Sequence, residues 1–322
     1  MIRRRGRQAS SREGTTVRFG RVWRTATAVV AAAAMTLTMA ACANNGDDEG
    51  FSGGGGDDKG AKEVTLGFIA WDENIAVTEL WKQLLEAKGY KVNTKQLEAA
   101  PLFSGVASGS LDVFMDAWLP GTHADYWKQY GEKVNDIGVW YEPADLGLAV
   151  PSYVKVDSLA ELKDHADEFD GKITGIEPSA GMMKILKDEV VPQYGMDGKL
   201  RVTQSSTPAM LASLDKAYQA KKPIVVTMWR PHWAFSKYDI KYLDDPKKAW
   251  GEPDKIHTIT SKDFSKNNAE AEGWMKNFKL TPDQLQELEN KIQEEGVKNK
   301  DVAVKAWIED NKKLTDSWLT AK

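Results

Sequence analysis

Two successive β-α-β series constrain the fold of this chain more than any other feature of its sequence. In the first, Glu63 to Ala70 reads as a strand. A helix follows from about Ile75 to Lys88, with Val77, Leu80, Trp81, Leu84 and Leu85 at helical spacing and Gly89 as its stop. Tyr90 to Leu97 is the next strand, Pro101 to Gly109 a short helix, and Leu111 to Trp118 a third strand. After a helix from Thr122 to Tyr130, Ile137 to Tyr141 and Leu146 to Val150 read as two short strands. A capping box from Ser158 to Glu161 opens a helix that ends near Phe169. The second series then takes Gly171 to Ile176, Leu200 to Gln204 and Ile224 to Met228 as strands, with helices at Met182 to Val190 and Thr207 to Lys221. Alternation of this kind implies a parallel sheet with helices on its faces, so the expected fold class is α/β. Two units of similar size, joined at Pro151 and again after Trp233, predict two lobes with a ligand cleft between them. Ile256 to Ile259 is expected to return to the first lobe. Helices from Lys266 to Phe278, Pro282 to Glu295 and Asp301 to about Leu319 complete the chain. The middle one has Thr281 as N-cap, Pro282 at its first position and Gly296 at its end, and should cover the first lobe.

Three of the strands lead to a tryptophan. Ile69-Ala70-Trp71-Asp72 ends one, Asp116-Ala117-Trp118-Leu119-Pro120-Gly121-Thr122-His123 ends another, and Met228-Trp229-Arg230-Pro231-His232-Trp233 ends a third. In open α/β sheets ligands bind beyond the carboxyl ends of the strands, so Trp71, Trp118 and Trp229 are placed to converge on one cleft. An indole face is the best protein surface for a cation that cannot donate hydrogen bonds. Gly181 lies where the turn from Glu177 meets a helix N-terminus, and there free N–H groups and the positive end of the dipole favour an anion. For each tryptophan taken singly, packing in the core is the alternative.

Net charge −4 and the lack of a sustained basic tract in the body of the chain argue against nucleic acid as a partner. Four scattered histidines and one cysteine offer no metal-ligand spacing, and no nucleophile-elbow or phosphate-loop sequence occurs. The chain is therefore read as a non-enzyme, with no cofactor and no metal. Its one cysteine, Cys42, ends a leader in which arginines from Arg3 to Arg24 precede the small apolar run Thr25 to Thr38 and the box Met39-Ala40-Ala41. This resembles a bacterial lipoprotein signal, with Met39 where Leu is usual, and it implies lipidation of Cys42 and loss of residues 1–41. A plain secretory signal with a free thiol and an uncleaved anchor helix are the alternatives, the apolar run being short for a membrane span. Residues 42–62, with Gly53 to Gly56 and the acidic pairs Asp47-Asp48 and Asp57-Asp58, read as a flexible tether.

The tryptophan motifs, the Glu177 to Met182 turn, Tyr242 to Pro246 and Ile256 to Ile259 together resemble the substrate-binding lipoproteins of ABC importers for glycine betaine and related compatible solutes. The resemblance runs from Val64 nearly to the C-terminus. It implies a two-lobed periplasmic-binding-protein-like fold of type II. Residues 63–150 form the first part of lobe 1, 151–233 form lobe 2, and 234–322 return to lobe 1 with the C-terminal helices. It further implies that Trp71, Trp118 and Trp229 box a trimethylammonium head, while His123 and the backbone N–H groups of Gly181 and Met182 hold the ligand carboxylate. The implied partners are a small zwitterionic or cationic solute (glycine betaine, proline betaine, choline or carnitine) and an ABC permease. The implied location is the extracytoplasmic face of the cell membrane, with a lipid anchor at Cys42.

Other candidates carry blander expectations. His232 reads as structural, and His165 and His257 as scaffold or surface residues. Asp72 and Asp116 are expected either to add a negative field near the cage or, for Asp72, to cap a helix. Tyr153, Trp127, Trp140, Trp233 and Trp250 read as packing residues. Two other functions compete: a choline or carnitine receptor of the same fold, and a surface lipoprotein that stacks sugars on its tryptophans in an open groove.

Overall fold

The computed structural model describes residues 62–320. The leader, Cys42 and most of the 42–62 tether lie outside the described residues. No helix among the described residues is long and apolar enough to cross a membrane.

The first half of the chain builds β1 (Glu63–Phe68), α1 (Asp72–Ala87), β2 (Lys91–Gln96), α2 (Ala99–Ser108), β3 (Val113–Leu119), α3 (Ala124–Tyr130) and β4 (Val134–Pro151). Then come α4 (Leu159–Leu162), β5 (Lys172–Thr174), α5 (Gly181–Ile185), α6 (Val191–Gln193), β6 (Arg201–Thr203), α7 (Thr207–Gln219) and β7 (Val226–Arg230). The chain closes with α8 (Ala234–Lys237), β8 (Ile240–Tyr242), β9 (Asp254–Ser261), α9 (Lys262–Asn267), α10 (Ala269–Lys276), α11 (Pro282–Glu295), α12 (Lys300–Asp310) and α13 (Lys312–Trp318). The strands form one sheet in the order β2-β1-β3-β9-β4-β7-β5-β6, with β8 paired to β4.

The α/β expectation is met, but the sheet is mixed where a parallel one was expected. Both ends are parallel: β1 pairs with β2 and β3, and β5 with β6 and β7. The middle is antiparallel, because β9 returns between β3 and β4, and β4 pairs with β7. The two short strands expected around Tyr141 and Leu148 are one strand of 18 residues, β4. Its first part pairs with β9 as far as Ala144, and its second with β7 from Asp145 onward. Gly138, at φ 129°, and Pro143 punctuate it without ending it.

Local rules explain most of the helices. Capping of α11 is reciprocal: Thr281 Oγ1 accepts from Gln284 N, and Gln284 Oε1 accepts from Thr281 N. Its stripe of Leu285, Leu288 and Ile292 is buried, and α11 and α12 pack on α1. Trp81 of α1 meets Phe278 edge-on at 5.6 Å and Trp318 at 6.5 Å. Three expected helices change character along their length. The one after Gly181 passes from α5 into a π turn at Leu186–Val190, and the two near the C-terminus break at Asn268 and Asn311. α1 begins three residues earlier than expected, at Asp72, with Trp71 as an N-cap that makes no side-chain cap bond.

Candidate functional site

A small cavity lies between the two parallel ends of the sheet. Trp71, Trp118, His123, Gly181, Met182 and Trp229 all line it, so the six expected residues come together. Glu73, Thr122, Leu146, Ile176 and Ala180 complete the lining.

Trp71, His123, Gly181 and Met182 are set by turns that follow strands, whereas Trp118 and Trp229 stand near the ends of β3 and β7 themselves. After β1 the turn into α1 is pinned by Ile69 N, which donates to the buried Asn74 Oδ1 at 2.7 Å, and it presents Trp71 to the cavity. Trp118 is the penultimate residue of β3. The turn after it is held by Asp254 of β9, whose carboxylate accepts from Gly121 N at 2.6 Å, Thr122 N at 2.8 Å and Thr122 Oγ1 at 2.6 Å. That anchor brings His123 back under the strand. Trp118 N donates to His123 Nδ1 at 2.9 Å, so the ring carries its proton on Nε2. Burial pushes the His123 pKa down to about 3, leaving the ring neutral. Nε2 is buried and has no protein partner among the described residues, which leaves a free donor on a residue that lines the cavity. Across the cavity, Ala180 is the N-cap of α5, and the first N–H groups of that helix lack intrahelical acceptors.

All three tryptophans donate their indole N–H to a carboxylate. Trp71 Nε1 bonds Glu177 Oε2 at 3.4 Å, Trp118 Nε1 bonds Asp116 Oδ1 at 2.9 Å, and Trp229 Nε1 bonds Glu73 Oε2 at 2.9 Å. A buried indole needs such a partner, and here the partner also fixes which way the ring faces. Trp71 lies parallel to His123, with centroids 5.7 Å apart and planes at 10°.

Three buried carboxyl groups near the tryptophans, those of Glu73, Asp116 and Glu289, are pushed toward their neutral forms. Burial raises the Glu73 pKa well above the carboxylate range, and the neighbouring charges of Asp116 and Glu289 raise it further. Burial likewise pushes Asp116 up to about 7, against hydrogen bonds from Trp118 and the Glu73 carboxyl that pull it down. Glu289, from α11, is raised by burial and then by Asp72 and Asp116.

Asp72, which had two open readings, is not a side-chain cap. Its Oδ1 accepts from Trp233 Nε1 at 2.7 Å and from Gln293 Nε2 at 2.9 Å. His232 sits outside the cavity lining, its Nδ1 accepting from Ala234 N at 3.0 Å and its ring edge-on to Trp229 at 4.8 Å. His257 contacts Asp136 and His165 contacts Glu168, both away from the site. Glu73, Glu177 and Asp254 escaped sequence reasoning. Glu73 stands two residues after Trp71 and Glu177 opens the Gly181 turn, but their partners are 156 and 106 residues away.

A family model described as OpuAC, the substrate binding domain of ABC-type glycine betaine transport systems, matches residues 62–310. The chain belongs to this family. Its relatives in the OpuAC family include the glycine betaine/carnitine transport binding protein GbuC of Listeria monocytogenes, 36% identical over 156 residues. That match covers 48% of this chain, and the chain spans about half the length of that relative (51%). Lactococcal OpuAC in its closed-liganded conformation with glycine betaine is a similar solved structure, with TM-score 0.75 and 36% identity over 80% of this chain and 100% of that one. ProX of Borrelia burgdorferi, a glycine betaine/L-proline-binding protein, has TM-score 0.76 and 31% identity over 80% and 97% of the two chains. The fold is therefore the two-lobed type II periplasmic-binding-protein fold, and the OpuAC family is one of transport receptors.

Proposed function

We propose that this chain is the extracytoplasmic solute receptor of an ABC importer and that it binds glycine betaine. Trp71, Trp118 and Trp229 enclose the trimethylammonium group, while His123 Nε2–H and the N–H groups of Gly181 and Met182 receive the carboxylate. Residues 63–144 with 254–320 act as one lobe and 145–242 as the other, a division supported by the pairing of β4 with β9 on one side and with β7 and β8 on the other. Cys42 carries the lipid anchor, and the loaded receptor docks on a membrane permease. One observation carries this reading: three oriented indoles and the unpartnered buried donor of His123 line the same small cavity. Three desolvated cation–π walls contribute roughly 6 kcal/mol, and charge-assisted hydrogen bonds add about 1.5–3 each. After the association cost, a micromolar affinity of about −8 kcal/mol results.

Calorimetric titration of the full-length protein with glycine betaine and then choline tests the reading. Choline lacks a carboxylate and leaves His123 and the Gly181 turn unanswered, so betaine is expected to bind more tightly by roughly tenfold or more. Tighter choline binding would assign the site to a cation alone. No binding of either by folded protein would remove the betaine receptor reading.

Affinity also depends on pH. Below its raised pKa of about 7 the Asp116 carboxyl is neutral. An entering cation favours the ionised form, so betaine affinity is expected to rise between about pH 6 and about pH 8 with release of a proton. Titrations in buffers of different ionisation enthalpy measure that proton, and Asp116→Asn should flatten the profile. A flat profile in the parent would show that the carboxyl keeps its charge state on binding.

A further inference from the structure

The bond between Glu177 and Trp71 joins the two ends of the sheet. Trp71 follows β1, whereas Glu177 follows β5 and belongs to the other end. Glu177 is anchored on its own side: Oε1 accepts from Thr207 N at 2.8 Å, and Oε2 from Thr207 Oγ1 at 2.9 Å. Thr207 is the first residue of α7, a helix of 13 residues. The position left on Oε2 reaches to the Trp71 indole of the other sheet end. At 3.4 Å this is the longest of the tryptophan–carboxylate bonds, the others being 2.9, 2.9 and 2.7 Å. It is therefore the weakest link holding a cage ring. The same turn is tied to the first sheet end beside it, where Tyr126 Oη donates to Ser179 O at 2.8 Å and Ser179 Oγ to Glu98 Oε2 at 3.0 Å.

We infer that Glu177 is a positioning residue that couples closing of the cleft to the orientation of Trp71 and, through the ring stack, of His123. This rests on the betaine-receptor reading above. When the two sheet ends separate, the Glu177–Trp71 bond is lost and the indole can turn off His123. When they close, one contact sets a cation wall and the neighbouring anion donor together. The ligand thus meets a finished cage only in the closed form, and bound solute leaves only when that bond opens.

A double-mutant cycle with Glu177→Gln and Trp71→Phe, with glycine betaine as the probe on the full-length protein, tests the inference. Glu177→Gln keeps an acceptor for Thr207 but can turn an N–H toward the indole N–H, and Trp71→Phe keeps a ring without an N–H. Glu177→Gln is expected to weaken binding in the parent by roughly five- to tenfold, mostly through faster dissociation. In the Trp71→Phe background it should have almost no further effect. Equal losses in the two backgrounds, or no loss in the parent, would overturn the coupling. Exchange of the Trp71 indole proton, followed by NMR at saturating glycine betaine where the cleft is closed, gives a second readout. It should accelerate in Glu177→Gln while those of Trp118 and Trp229 stay unchanged, and an unchanged Trp71 rate would also overturn the inference. If the parent fails to bind betaine, the receptor reading itself falls, whereas betaine binding by the parent with an unchanged affinity in Glu177→Gln overturns the coupling alone. If Glu177→Gln does not fold, Thr207→Val removes one anchor of the carboxylate and should accelerate the same indole exchange.

Discussion

Gly181→Ala is expected to weaken betaine binding by roughly 10- to 100-fold while leaving the fold intact. A Cβ on Gly181 would lie 1.9 Å from the carbonyl oxygen of Thr122 and 2.8 Å from its carbon. Both are backbone atoms, and they cannot retreat, because Asp254 holds Thr122 N and Oγ1 and Gly121 N. The clash is relieved only by moving the Gly181 turn away from the β3–α3 turn, which opens the cavity and pulls the α5 N–H groups off the ligand carboxylate. Overpacking of about 1–3 kcal/mol then falls on the closed form alone. Calorimetry should show the loss, small-angle scattering should show a protein that stays expanded at saturating ligand, and the ligand-free melting temperature should hardly change. Parental affinity in this variant would mean that the contact with Thr122 is absent from the bound state.

Trp118→Ala should cost roughly 30-fold or more in affinity for betaine and a similar factor for choline. The deletion removes one desolvated cation wall, worth about 2 kcal/mol. It also takes from Asp116 its indole donor. Because Trp118 is 2% exposed, thermal melts must accompany the titrations, since a buried tryptophan also supports the core. The variant is expected to fold. Betaine affinity equal to the parent's would remove Trp118 from the cage. A loss for betaine with none for choline would move its role to the carboxylate side.

The placement of the cavity was legible in the sequence because strand exits are local signals. An apolar run that ends at a tryptophan can be seen within ten residues, and the topology of an open α/β sheet sends such ends to one place. The donor role of His123 came from resemblance, since nothing in its neighbours shows that Trp118 N would occupy Nδ1. The carboxylates that orient the rings were not legible. Glu177 and Trp71 meet only after β5 and β1 have been brought to opposite walls of one cavity, a relation with no period and no spacing. Asp72 is instructive in a different way. Its position just ahead of a helix fits a cap, yet Trp233 and Gln293 arrive from far along the chain and claim the same oxygen. The length of β4 was hidden by Gly138 and Pro143, residues that usually end strands. Here β9 and β7 supply partners on either side of Pro143, and pairing overrides the local signal.

That shared strand also has a mechanical meaning. β4 changes partner from β9 to β7 between Ala144 and Asp145, which are joined by a single peptide bond. The two halves of the molecule are therefore not beads on a slack thread at this crossing. They are two panels of one sheet with a crease one residue wide. A crease transmits torque, whereas a slack linker only sets a leash length. Any force applied to one panel is felt at once by the other.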